Sequence, residues 1–197
     1  IIDQNFPNLK INLLCAKSNL KLLTKQINRF KPKYAFIFDH NKITNFNSKI
    51  GNTRFLNLNE LRSYLLSSKS HLSLLAVSGY KSLYYLDSII QNTDNLGIVS
   101  KEAIVSAGHI FKSKLYYKKT NIFPIDSEHF SLFEFFNKLN IKNNIKKIIL
   151  TASGGPFHKR KFNSLSNIKF ANAIKHPKWK MGYKNSIDSA TLVNKCL

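Results

Sequence analysis

The sequence predicts an α/β fold with a mainly parallel sheet. Apolar runs of strand length alternate with segments of helical period, the pattern of successive βα units. The 197 residues are 43% hydrophobic, which allows one full domain and part of another around real cores. From residue 153 to 183 this grammar lapses into glycines, prolines and polar residues.

The elements follow in order. Residues 11–16 read as a strand and 19–30 as a helix that Pro32 terminates. Residues 34–39 form the next strand, and 57–67 are helical. Residues 72–78 are extended, 82–91 helical and 96–100 extended again, and 101–118 give a long helix. A short strand over 121–125 leads into a helix over 127–139 with Phe130, Phe133, Phe136 and Leu139 on one face. Residues 145–152 read as a strong strand. The unpatterned stretch after it has the length of a functional lid, and 187–197 open a new helix. There is no internal repeat and no low-complexity linker.

Composition narrows the function classes. No apolar run approaches the roughly 18 residues that span a bilayer. The start, Ile1-Ile2-Asp3-Gln4, has neither a basic leader nor an initiator Met, so the true N-terminus is expected to lie upstream. Cys15 and Cys196 are too few for a disulfide framework or a cysteine zinc site and suit a reducing compartment. The net charge of +21 raises nucleic acid as a partner. The excess is nearly all Lys, however, spread along the chain, with Arg only at Arg29, Arg54, Arg62 and Arg160. The dense basic runs 142–147 and 158–161 read first as solvated surface.

Three constellations could carry chemistry. Asp126 and Glu128 stand two apart after a strand; in extended chain their carboxylates share a side and could hold one hard cation. Capping of the following helix by Asp126, with Glu128 in its first turn, is the competing reading. Thr151-Ala152-Ser153-Gly154-Gly155-Pro156-Phe157 is either an anion-binding loop or a plain turn. Ser186-Ile187-Asp188-Ser189 opens a helix whose amides favour a phosphate, with Lys195 as the matching charge; simple capping by Ser186 or Asp188 is the alternative.

The strings NIFPIDSEH, ILTASGGPF, KHPKWKMG and SIDSATLVNK occur in this order, and in wording and order they resemble the successive motifs of the 1-deoxy-D-xylulose 5-phosphate reductoisomerases. The similarity runs over most of the chain and is densest from Lys101 onward. It implies a Rossmann-like NADPH-binding domain over 1–125, lacking its first strand and Gly-rich turn, then an α/β catalytic domain over 126–197, lacking its C-terminal part.

The resemblance also assigns roles. Asp126 and Glu128 match metal ligands for Mn²⁺ or Mg²⁺, with Co²⁺ as a third option. Glu128, Lys101 and His176 match catalytic positions. Lys101, Ser127, Glu128, Ser153, His176, Trp179, Met181, Ser189, Asn194 and Lys195 match residues that hold the sugar phosphate. Within that set Ser153, Ser189, Asn194 and Lys195 surround the phosphate, and His176, Trp179 and Met181 belong to a mobile lid. Lys17, Ser18, Asn19, Gly79, Ser100, Glu102 and Gly182 match the cofactor side. The lysine at 17 suits NADPH over NADH.

Departures accompany the match. Lys17 replaces a usual Gly, Ser100 a usual Asn, Tyr80 and Lys81 small residues, and Cys196 a usual Gly. The third metal carboxylate is expected one residue beyond Leu197, and the chain as it stands is expected to be inactive. The implied activity is NADPH-dependent, metal-assisted rearrangement and reduction of 1-deoxy-D-xylulose 5-phosphate to 2-C-methyl-D-erythritol 4-phosphate in isoprenoid biosynthesis. A homodimer in the bacterial cytoplasm is implied, with a plastid-type organelle as alternative, and neither nucleic acid nor membrane as partner. The rival readings are an inactive remnant of such an enzyme and a basic nucleic-acid-binding domain.

Overall fold

The computed structural model describes residues 5–39, 49–113, 119–139, 145–151 and 154–190. The chain forms two compact units, Ile1–Lys69 and Ser70–Leu197.

In the first unit, strand β1 (Leu13–Ala16) runs into helix α1 (Leu20–Phe30). Asn19 caps the helix by accepting the Leu22 N–H at 3.0 Å, and Leu23 and Ile27, one turn apart, face the core. Lys31 ends it in the left-handed region at φ 46°, its N–H returning to the Ile27 carbonyl, and Pro32 prevents continuation. Strand β2 (Tyr34–Ile37) pairs in parallel with β1 on one side and with β4 (Thr53–Phe55) on the other.

A short hairpin joins β3 (Lys49–Ile50) to β4 in antiparallel register, with Gly51 at φ 56° in the tight turn. The sheet order is β1-β2-β4-β3. Sequence reasoning missed this hairpin, because its strands are too short to show a period. Helix α2 (Leu58–Ser67) follows a capping box in which Asn57 and Glu60 each accept the other's backbone N–H. Leu23, Ile27, Ala35, Ile37 and Phe55 form the core of this unit.

The second unit is built on three parallel strands in the order β5-β6-β7: β5 (Ser70–Leu75), β6 (Thr93–Ile98) and β7 (Asn121–Pro124). Helix α3 (Leu83–Gln91) connects the first two and α4 (Lys101–Ser113) follows the second. The central strand buries Leu96, Gly97 and Ile98 consecutively, as expected of a parallel strand covered on both faces. Leu75, Leu86, Ile90, Leu96, Ile98, Ala103 and Phe111 make the core. Helix α5 (Ser127–Leu139) begins where predicted, but Phe130 on its expected apolar face is exposed.

Three expectations are corrected. Residues 145–151 form no strand, although they are apolar and β-branched. No strand pairs with them among the described residues, so the ladder that would satisfy their backbone has no second side, and Ile148 and Ile149 stay exposed. The stretch read as structureless carries 3₁₀ turns at Gly155–Phe157 and Phe162–Ser164 and a helix, α6 (Phe170–Ala173). The last helix, α7 (Tyr183–Asp188), starts before residue 187 and gives way to a turn at 189–190. Residues 114–118 of the predicted long helix, and 191–197, lie outside the described residues.

Candidate active site

Parallel pairing decides which residues meet in the second unit. Ile98 on β6 stands beside Pro124 on β7, and the Ile125 N–H donates to the Ile98 carbonyl at 2.9 Å. The residues immediately beyond these strand ends, Ser100-Lys101 and Asp126, therefore emerge side by side. This is the carboxyl edge of the sheet, where α/β proteins place their ligands. Gly79, in the turn after β5, joins them: its φ is 70° and its carbonyl accepts from Ser82 Oγ at 2.7 Å and from Ser100 Oγ at 3.3 Å.

Lys101 opens α4, where the positive helix end disfavours a cation. Carboxylates offset this. Its Nζ lies 3.3 Å from Asp188 Oδ2 on α7 and 3.9 Å from Asp126 Oδ2, with the Lys101 and Asp126 side chains only 13% and 11% exposed. Lys184, one turn before Asp188, approaches the same Asp188 oxygen at 2.6 Å and pairs with Glu102 Oε1. Ser100 Oγ completes the chain by donating to Glu102 Oε2 at 2.6 Å; having one hydrogen, it serves this carboxylate or the Gly79 carbonyl.

Burial pushes the Glu102 carboxyl upward, but hydrogen bonds from Lys184 and Ser100 outweigh it and bring the pKa down to about 2. Burial likewise works against the Lys184 charge, and the hydrogen bonds to Asp188 and Glu102 outweigh that, raising its pKa above 10.5.

The same-side argument for Asp126 and Glu128 does not describe the backbone. Glu128 sits in the first turn of α5, and Asp126 caps that helix, accepting the His129 N–H at 3.4 Å and facing His129 Nδ1 at 2.8 Å. Ser127 Oγ donates to Glu128 Oε2 at 2.7 Å. Capping does not preclude metal binding, because each carboxylate has several lone pairs. The donor set is all oxygen, which suits a hard divalent cation, while the Lys101 ammonium 3.9 Å from Asp126 Oδ2 opposes one and would have to give way to it. Among the described residues no group of three ligating side chains is assembled.

The Gly-Gly turn meets the end of α7. Gly154 and Gly155 have φ of 82° and 63°, and a Cβ on Gly155 would fall 2.4 Å from the Ser189 carbonyl oxygen. Only glycine permits that approach, so the turn after 151 and the turn carrying Ser189 are in backbone contact. Ser189 Oγ donates to the Ser186 carbonyl at 2.6 Å, and Gly182 precedes α7. In the stretch between them, His176 stacks on Trp179, and its Nδ1 accepts the Lys178 and Trp179 N–H groups at 3.1 and 3.0 Å. Met181 is half-buried and Trp179 exposed.

The structure thus brings together Lys101, Glu102, Asp126, Ser100 and Gly79, and places Ser189 against the Gly-Gly turn. Lys17, Ser18 and Asn19 lie in the other unit, where Ser18, Asn19, Leu20 and Lys21 line a shallow depression at the start of α1. Ser153, Asn194 and Lys195 lie outside the described residues. Lys184 was missed entirely, and Asp188 was read only as a cap. Their spacing of four on one helix was the available signal.

Comparison with known proteins agrees with the motif reading. The family description "1-deoxy-D-xylulose 5-phosphate reductoisomerase" matches residues 1–108, and that of the same family's C-terminal domain matches 122–197. The reductoisomerase of Pelagibacter ubique is 37% identical over 99% of this chain and 51% of its own length. That of Thermodesulfovibrio yellowstonii is 38% identical over 98% of this chain and 51% of its own length. The chain spans about half the length of these relatives. Among solved structures, a DOX-P reductoisomerase in complex with NADPH, fosmidomycin and magnesium superposes with a TM-score of 0.79 at 28% identity, covering 99% of this chain and 51% of that one. The Zymomonas mobilis reductoisomerase in complex with NADPH gives 0.80 at 26%, covering 98% and 50%.

Proposed function

This chain belongs to the 1-deoxy-D-xylulose 5-phosphate reductoisomerase family, and from that premise we propose that it supplies cofactor-side and catalytic residues for the family's reaction. In that reaction 1-deoxy-D-xylulose 5-phosphate is rearranged and reduced to 2-C-methyl-D-erythritol 4-phosphate, a step of isoprenoid biosynthesis. The observation that carries the reading is the meeting of Lys101 and Asp126 at the carboxyl edge of the second sheet, where a ligand belongs.

Residues 1–125 serve mainly the cofactor, with Lys101 reaching the substrate, and 126–197 mainly the substrate, with Gly182 on the cofactor side. Asp126 and Glu128 would hold the cation, Mn²⁺ or Mg²⁺, through carboxylate oxygens. Bound there, the cation would supply Lewis acidity toward substrate oxygens and NADPH would supply the hydride. Lys17 would face the 2′-phosphate of the cofactor, beside the depression at Ser18 and Asn19. Gly79, Ser100, Glu102 and Gly182 complete the cofactor side. Lys101 presents an ammonium to the anionic substrate. Ser153, Ser189, Asn194 and Lys195 anchor its phosphate, which supplies binding energy remote from the reacting carbons. His176, Trp179 and Met181 close over the substrate and exclude water. The complete protein works as a homodimer in the cytoplasm.

The test is substrate-dependent loss of reduced-nicotinamide absorbance by the complete protein, with 1-deoxy-D-xylulose 5-phosphate and Mn²⁺. No turnover would overturn the reading.

A further inference from the structure

We infer that Lys184 and Asp188 are positioning residues that hold the Lys101 ammonium against Asp126. The inference concerns residues to which the proposed function gives no role, and only its final arm rests on that reading.

Lys101 has a long, flexible side chain, and an ammonium has no directional fork to fix it, so its place must be set by its partners. One partner, Asp126, stands 3.9 Å away, too far for a hydrogen bond. The nearer one is Asp188 at 3.3 Å, 87 residues along the chain. Asp188 is itself held, because Lys184 on the same helix donates to its Oδ2 at 2.6 Å. Lys184 in turn is pinned from below by Glu102, whose other oxygen accepts from the buried Ser100. Charges alternate along the series Glu102, Lys184, Asp188, Lys101, Asp126. Each link crosses between segments or spans one helical turn. Removing one member leaves its neighbours one opposite charge short in a half-buried setting and free to re-pair with what remains, so the series responds as a unit.

The arrangement also joins three parts of the second unit. Ser100 to Glu102 close β6 and open α4, Asp126 closes β7, and Lys184 with Asp188 lie on α7, which follows the segment read as the lid. Lys184 therefore clips the far end of that segment to the start of α4.

The test measures where the Lys101 side chain is. The purified chain is reductively methylated with formaldehyde and borohydride, and modification at Lys101 is followed by peptide mass spectrometry, with Lys161 as an exposed control. In the wild type Lys101 should react slowly. Asp188→Asn should raise its rate roughly fivefold, and Lys184→Met should move it in the same direction, while Lys184→Arg restores the slow rate. Lys161 should not change. Wild-type rates at Lys101 in both Asp188→Asn and Lys184→Met would overturn the inference. So would loss of far-UV ellipticity in both, which would assign the pair to the fold alone. In a separate arm with the complete protein, 1-deoxy-D-xylulose 5-phosphate should protect Lys101 in the wild type. Absence of protection would count against the proposed function and leave the positioning result standing.

Discussion

The imidazole of His176 lies flat on the indole of Trp179, with ring centroids 4.7 Å apart and planes 11° from parallel. A stacked pair of this kind is worth about 0.5–1.5 kcal/mol beyond its buried area. Here it also shapes the backbone, since His176 Nδ1 accepts two N–H groups three residues or fewer away. Trp179 is the only tryptophan in these 197 residues, so once any tryptophan outside them is replaced by phenylalanine its emission reports this segment alone. We expect a blue shift and weaker acrylamide quenching when 1-deoxy-D-xylulose 5-phosphate and NADPH are added to the complete protein, with protease cleavage in 157–180 suppressed. Emission and cleavage indifferent to saturating ligand would remove Trp179 from the lid.

Asp126 has two separable tasks, and one substitution divides them. Asn caps helices about as well as Asp, so Asp126→Asn should keep α5 while removing a counter-charge from Lys101 and His129, at a cost on the order of 1–2 kcal/mol in thermal unfolding. A neutral amide oxygen is a much weaker ligand for a hard cation. Mn²⁺ affinity, read by electron paramagnetic resonance, should fall at least tenfold in both Asp126→Asn and Glu128→Gln, and turnover of the complete protein with it. Unchanged Mn²⁺ binding in both variants would show that the cation sits elsewhere.

The Glu102–Lys184 pair predicts a pH dependence with a definite sign. Glu102 has a folded pKa of about 2, below its ordinary 4.5. Its contribution to stability is therefore complete above 4.5 and is lost as the pH falls from there toward 2. Lys184 is raised, so its share is complete below its ordinary 10.5 and is lost as the pH rises beyond that value. Glu102→Gln should lower stability near neutrality by on the order of 1–2 kcal/mol after solvent screening. The gap to the wild type should narrow on acidification through the lower window. A gap that is constant from pH 6 to roughly 3 would disprove the linkage.

Two glycines should differ in their tolerance of alanine. At Gly97 a Cβ would meet the ends of the Ile125, Leu74 and Phe123 side chains at 2.5, 2.8 and 3.1 Å, flexible side-chain ends of which those of Ile125 and Leu74 belong to exposed residues. Gly97→Ala should cost no more than about 1 kcal/mol. At Gly155 the obstacle is the Ser189 carbonyl and the φ is +63°, so neither neighbour nor backbone can yield. Gly155→Ala should cost about 2 kcal/mol or more. It should also free the Ser189 turn, detectable as faster amide exchange there. Equal costs in chemical denaturation would refute the contact.

Much of the architecture was legible because the interactions behind it are local. The helical segment 19–30 ahead of Pro32 marked α1, the alternation of apolar runs with helices announced parallel strands, and the wording of four motifs carried the family. The capping option for Asp126 was also readable, since a cap involves only its own first turn. What could not be read was set by partners distant in sequence. Residues 145–151 have the composition of a strand, yet pairing needs a neighbour, and composition does not say whether one is present. The β3–β4 hairpin is shorter than any period that could reveal it. The approach of Lys101 to Asp188 across 87 residues depends on the β6–β7 register and on how the Ser189 turn rests on Gly155. The sequence by itself offered the candidates for binding metal, phosphate and nicotinamide. Tertiary structure alone decided which of those charges touch, because Coulombic pairing is a matter of ångströms in space and carries no periodic signature along the chain.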